Sequence, residues 1–195
     1  MEKARRALLD ELAAFGREHD AARADRRERL RNVEPETAAM LAVLVRACGA
    51  RRLLEIGTSN GYSTIWLGDA AEELGGTLLS VDLDTGRAAQ AVENVARAGL
   101  QGNVELRIQD AAVTLAGLPG GSVDFVFLDA ERPAYVDYWQ DLVRVLARPG
   151  LLAVDNAVSH AGEIAAFREL AESDARVAVA LVPVGAGLLL IAPTA

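Results

Sequence analysis

Lysine is almost missing from this chain. Lys3 is the only one, and every other basic residue is arginine. Guanidinium stays protonated in proteins, so chemistry that needs a deprotonatable amine has almost no candidates. Cysteine is equally scarce: Cys48 stands alone inside an apolar helical run and reads as a small buried hydrophobe. A single thiol excludes an internal disulfide, which fits a reducing compartment. Glu2 to Arg6 is charged and carries no apolar signal core. No uninterrupted apolar run reaches membrane length, so the expectation is a cytoplasmic protein without a membrane span. Basic residues are not in excess either, and the net charge of −8 disfavours an unaided nucleic-acid partner. Internal repeats and low-complexity segments are absent.

What is present is 195 residues, 51% of them hydrophobic, enough for one globular domain with a single good core. The most informative stretch runs from Arg52 to Thr64. Leu53 to Ile56 reads as a buried parallel strand. Gly57-Thr58-Ser59-Asn60-Gly61 is a turn, and a helical pattern opens at Tyr62. Strand, glycine turn and helix place backbone N–H groups and a helix N-terminus against a ligand at the carboxyl edge of an α/β sheet. A dinucleotide site is the wrong reading. Ser59 stands where a second glycine would admit a pyrophosphate, and the carboxylate of Glu55 would repel one. An acid there suits a cationic ligand bearing an amino group or a sulfonium.

Glu55, Gly57, Gly61, Tyr62 and Ser63 together resemble motif I of the class I S-adenosylmethionine (SAM) methyltransferases, most closely the catechol and caffeoyl-CoA O-methyltransferase group. The resemblance covers roughly residues 33–192. It implies a Rossmann-like, seven-stranded α/β sheet with helices on both faces and an antiparallel last hairpin. The residue pattern by itself supports the alternating α/β order and the hairpin.

Along the chain, residues 2–30 read as a helix with Ala4, Leu8, Leu12 and Phe15 on one face. Residues 1–34 are thus an N-terminal helical extension before an α/β core at 35–195. The stretch Arg23 to Arg31 mixes both charges; it is a solvated helix end, a dimer arm or a lid. Arg26, Arg27, Arg29 and Arg31 are available to phosphate, although interleaved acids weaken that idea. Pro35 opens a helix to about Ala47, near Gly49. Thr77 to Val81 is a second strand ending in Asp82-Leu83-Asp84, where an acid accepts hydrogen bonds from ribose hydroxyls. Asp84 reads as the N-cap of the next helix. A third strand, Asn103 to Ile108, leads to Asp110-Ala111, and Asp110 suits a helix cap, an adenine contact or both. A fourth strand, Val123 to Leu128, ends at Asp129. Tyr135, Tyr138 and Trp139 then either flank a planar substrate or pack the helix from about Ala134 to Ala147. After a turn at Arg148-Pro149-Gly150, Leu151 to Val154 ends in Asp155-Asn156. A helix at about Ala161 to Ala171 precedes two strands, Val177 to Val182 and Gly187 to Ile191, joined too tightly for a crossover helix.

The resemblance assigns SAM to Val33, Glu55, Gly57, Thr58, Ser59, Gly61, Ser63, Asp82, Leu83, Asp110, Ala111 and Asp129. It assigns a divalent cation, Mg²⁺ or a substitute, to Asp129, Asp155 and Asn156, and an all-oxygen set of that kind suits such a cation. The alternative is that these three only cap turns. The family's general-base lysine, three residues after the first metal aspartate, is Arg132 here, which cannot take a proton but can hold a phenolate or an acidic substrate. His160 is the histidine near this site and a candidate base. The leading expectation is a metal-dependent O-methyltransferase acting on a small hydroxylated acceptor, as a homodimer. The alternatives are a methyltransferase for another acceptor, such as a hydroxylated tRNA nucleoside, and a SAM-binding protein without turnover.

Overall fold

The computed structural model describes residues 1–194. Seven strands form one sheet in the order β3-β2-β1-β4-β5-β7-β6. They are β1 (Arg52–Ile56), β2 (Thr77–Asp82), β3 (Val104–Ile108), β4 (Val123–Leu128), β5 (Leu146–Val154), β6 (Val177–Val182) and β7 (Leu188–Pro193). The first five pair in parallel; β7 runs antiparallel to both β5 and β6. The helices are α1 (Lys3–Ala21), α2 (Pro35–Cys48), α3 (Tyr62–Glu73), α4 (Thr85–Arg97), α5 (Ala111–Gly117), α6 (Tyr135–Val145) and α7 (Ala165–Ser173). The α/β sheet with an antiparallel last hairpin is therefore as expected. No helix among the described residues is long and apolar enough to cross a membrane.

The central strands are apolar on both faces because each face is covered by helices. Side chains alternate between two core clusters. Leu53, Phe125, Phe127 and Ala153 pack with Leu9, Leu41, Ile65 and Leu67 on one side of the sheet. Leu54, Ile56, Val126, Leu128 and Leu152 pack with Trp139, Leu142 and Phe167 on the other. Full burial of each large apolar side chain contributes roughly 1.5–3 kcal/mol. Trp139 and Phe167 also meet edge to face, with centroids 5.5 Å apart.

This alternation positions the site. Glu55 pairs across the sheet with Ser80 and Phe127, and Phe127 with Ala153. Two residues further along each strand, the same register aligns Asp82, Gly57, Asp129 and Asp155 in one row at the carboxyl edge. Backbone bonds continue the pairing past the strand ends: Gly57 N–H donates to Val81 O (2.9 Å), Asp129 N–H to Ile56 O (2.9 Å) and Asp155 N–H to Leu128 O (3.1 Å).

Several expectations need correction. The first helix stops at Ala21 rather than continuing to about residue 30. A short 3₁₀ turn (Arg26–Glu28) follows, and then a non-helical strap to Glu34. Asp20 explains the change of course, because its carboxylate accepts the N–H groups of Leu30 (2.7 Å) and Arg31 (2.8 Å). Arg31 lies in the left-handed region with φ 55°. Phe15 is exposed; the face that α1 buries is Arg5, Leu8, Leu9, Leu12 and Gly16. Arg5 is anchored in that face by Asp69, at 2.6 Å, and by Ala98 O. Cys48 is exposed rather than buried. It ends α2, whose core face finishes at Val45 before Gly49 turns the chain away with φ 62°. Arg148-Pro149-Gly150 lies inside β5, which begins at Leu146. The last helix begins only at Ala165, and upstream of it Ala157, Val158 and Ser159 donate their N–H groups to the carbonyls of Gly187 and Ala186. The side chain of Arg27 lies outside what the structure describes.

Candidate functional site

The glycine turn is built by constraints that glycine alone meets at two points. Gly57 has φ 109°, and a Cβ there would lie 2.1 Å from Asp129 O. Gly61, with φ 86°, precedes the first turn of α3 and packs on Ala91. Between them Ser59 takes φ 47°. Its N–H donates to Asp82 (2.8 Å) and its hydroxyl to Leu30 O (2.7 Å). The turn is thus tied to β2 below and to the N-terminal strap above.

Asp82 is fixed by two backbone donors, Ser59 N–H and Asp84 N–H (2.9 Å). That leaves carboxylate lone pairs for a further donor such as a ribose hydroxyl. Asp84 and Asp110 cap their helices: Asp84 accepts from Gly86 and Arg87 N–H (both 2.9 Å), and Asp110 from Ala112 N–H (2.7 Å). Capping leaves Asp110 and Ala111 on the wall of the cavity.

That cavity, about 780 Å³, opens over the row of strand tips. Val33, Gly57, Thr58, Ser59, Gly61's neighbour Asn60, Ser63, Asp82, Leu83, Asp110, Ala111, Asp129, Arg132, Asp155, Asn156 and His160 all line it. Gly61 is not on its wall.

Glu55 does not line it. The residue is fully buried, and its carboxylate accepts the hydroxyls of Ser63 (2.6 Å), Ser80 (2.6 Å) and Thr64. The alternation of β1 accounts for this, since it turns Glu55 towards the start of α3 rather than outward. Burial raises its pKa to about 7 against the pull of those hydroxyls. Glu55 therefore orders Ser63 and the turn, and its carboxylate is not on the cavity wall where a direct contact with a cationic ligand was expected.

Asp129 and Asp155 meet at the adjoining tips. The Asn156 amide donates to Asp129 Oδ1 (3.0 Å) and to Asp155 Oδ2 (3.0 Å). Asn156 holds this place in the left-handed region, φ 65°. Asp155 Oδ1 is buried with no hydrogen-bond partner among the described residues. Burial pushes both carboxyls up, each is raised further by charge on other acids, and Arg31 offsets part of this at Asp129. Among the described residues no group of three or more His, Cys, Asp and Glu side chains is arranged around a metal. A cation here would have to draw its third protein ligand from the Asn156 amide.

Arg132 is buried, and its Nε–H donates to Glu163 Oε2 (2.7 Å). His160 Nδ1 is 2.8 Å from Ser159 Oγ. The aromatics divide. Tyr135 and Trp139 are core residues, the Tyr135 hydroxyl donating to Ala130 O (2.9 Å) and accepting Ala130 N–H (2.9 Å), so Tyr135 braces the loop after β4. Tyr138 lines the cavity. The strap lines it as well, through Leu30 and Val33, and Arg31 pairs with Glu131 at 2.8 Å. Sequence reasoning missed Asp20, Leu30 and Glu163. Their contacts link segments 10 to 31 residues apart that no local spacing signals.

A nucleoside-sized cavity at the carboxyl edge of a sheet of this order, floored by a glycine turn and walled by strand-tip acids, defines a class of α/β ligand-binding fold. Residues 7–193 match the family described as O-methyltransferase, and the chain belongs to that family. It is 38% identical over 136 residues to a catechol O-methyltransferase from Niastella koreensis, covering 68% of this chain and 61% of that protein. It is 38% identical over 148 residues to a catechol O-methyltransferase from Mycobacterium tuberculosis, covering 76% and 64%. The chain therefore spans a little under two thirds of the length of these two relatives. Among solved structures, the O-methyltransferase from Bacillus cereus in complex with SAH superimposes with a TM-score of 0.80 at 26% identity, covering 96% of this chain and 91% of that one.

Proposed function

We propose that this protein is a SAM-dependent O-methyltransferase that uses a divalent cation and acts on a small acceptor with vicinal hydroxyls. The observation that carries the reading is the row Asp82, Gly57, Asp129 and Asp155, set by sheet register beneath one cavity. Asp82 would receive the ribose hydroxyls. Gly57 to Gly61 and Ser63 would receive the amino-acid end, and Leu83, Asp110 and Ala111 would flank the adenine, with Val33 closing from the strap. Similarity to catechol O-methyltransferases supports the acceptor class. A net charge of −8 tells against a tRNA acceptor.

The donor set fits a hard divalent cation. A buried carboxylate, Asp155, lies beside the half-buried Asp129, and Asp155 Oδ1 has no partner among the described residues. The Asn156 NH₂ group supplies the positive end of a dipole between them, and a half-turn of that amide presents Oδ1 instead. When bound, such a cation would supply Lewis acidity that lowers the pKa of an acceptor hydroxyl. Asp129, Asp155 and Asn156 would hold it. His160, with Nδ1 engaged by Ser159, has Nε2 left to take the hydroxyl proton. Arg132 cannot take it. Bound SAM would supply the methyl as a sulfonium, and its transfer to the deprotonated oxygen would break the C–S bond and release a neutral thioether. The protein's own share is to hold oxygen and methyl in line.

The test is methyl transfer to catechol from SAM, with EDTA and then with Mg²⁺ restored. Loss and recovery of turnover is expected. Turnover indifferent to EDTA sinks the metal role, and SAM binding without turnover on any vicinal diol would leave a binding protein.

A further inference from the structure

We propose that the acceptor carries a carboxylate, and that Arg132, flanked by Arg26, selects it. This rests on the methyltransferase reading above. The Arg132 side chain is 3% exposed, yet its counter-ion is Glu163, which is 48% exposed and comes from the loop after β5. Arg26, from the strap, approaches the other oxygen of the same Glu163 at 3.6 Å. One carboxylate thus sits between two guanidinium groups. Both arginines line the cavity, whereas Glu163 does not.

Glu163 shows what this corner holds. A buried guanidinium needs a counter-charge, and here a side chain from the solvent side supplies it. An incoming carboxylate could replace that partner while keeping the guanidinium's counter-charge. A guanidinium also carries more N–H donors than one carboxylate uses, and its planar fork matches a carboxylate. Two guanidinium groups flank this corner, whereas the Asp129–Asp155 tips offer carboxylates suited to a cation and the hydroxyls it would bind. That contrast orients an acceptor with hydroxyls at one end and a carboxylate at the other: hydroxyls to the strand tips, carboxylate to Arg132. The site thereby gains a use for the arginine that replaces a basic amine.

The experiment compares catechol with 3,4-dihydroxybenzoate and 3,4-dihydroxycinnamate in wild type, Glu163→Gln, Arg132→Gln and Arg26→Gln. The wild-type protein should favour at least one carboxylated acceptor in kcat/KM by about 10- to 100-fold, the range of a charge-assisted pair. Arg132→Gln should collapse that ratio and Arg26→Gln reduce it. Glu163→Gln removes the internal competitor, so kcat/KM for the carboxylated acceptor should rise while that for catechol stays unchanged. A wild-type ratio near one, or Glu163→Gln moving both acceptors alike, overturns the proposal. Calorimetric binding of the same compounds to the SAH-loaded protein separates the two readings. If no acceptor is methylated but Arg132→Gln still loses affinity only for the carboxylated ones, the methyltransferase reading fails and the carboxylate site stands. Equal affinities across the set overturn the site.

Discussion

Replacing Glu55 by Gln should make the free protein's stability less sensitive to alkali. Glu55 is fully buried, and burial raises its pKa from an ordinary 4.5 to about 7. Below pH 4.5 the folded and unfolded chains both carry the proton. Between 4.5 and about 7 the unfolded chain releases it while the fold retains it, so stability falls as pH rises. Above that window the loss is complete and amounts to about 3 kcal/mol. Gln is isosteric, does not titrate, and keeps partners, because the hydroxyls of Ser63 and Ser80 accept as well as donate. Urea unfolding followed by the fluorescence of Trp66 and Trp139 from pH 4.5 to 8.5 gives the difference between the two proteins. Wild type should lose about 3 kcal/mol relative to Glu55→Gln across that span. A difference that stays constant with pH refutes the argument, because it would mean that the hydroxyl cage keeps the carboxylate ionised at no cost.

Three further outcomes follow from the same geometry. Gly57→Ala puts a Cβ 2.1 Å from Asp129 O at φ 109°, so it should cost more than about 2 kcal/mol in thermal or urea unfolding and weaken SAM binding. Asp82→Ala leaves two backbone N–H groups without their acceptor, so the Kd for SAM should rise about 10- to 100-fold by calorimetry while acceptor KM at saturating SAM changes little. Asp20→Ala releases Leu30 and Arg31 N–H and loosens the strap that holds Ser59, so it should raise the KM for SAM several-fold with a small change in kcat, and hydrogen exchange at residues 28–33 should accelerate.

Much of the sheet was legible because its signals are local. The buried runs Leu53–Ile56 and Val123–Leu128 are short, apolar and bounded by glycine turns or acids, and Asp84 and Asp110 announced the helices they cap. The strand-tip residues were legible because each acid directly follows such a run. Orientation was not. A strand apolar on both faces shows no alternation, so nothing in the run said that Glu55 points under α3. The strap was hidden for a different reason: the mixed charges of residues 23–31 continue a helical pattern, and only the long-range grip of Asp20 on Leu30 and Arg31 ends it. Phe15 and Cys48 misled through helix periodicity, which tells which side chains share a face but not where the neighbouring surface ends.

The register that lines up Asp82, Gly57, Asp129 and Asp155 limits how such a chain can change in length. One codon gained or lost within β4 or β5 would carry its terminal aspartate to the opposite side of the sheet, among Leu128, Trp139 and Phe167. Two codons would restore the side but displace the carboxylate by about 6.5 Å. Insertions are therefore tolerable in the connections at the amino ends of these strands, such as Leu118–Ser122, and ruinous within the strands themselves.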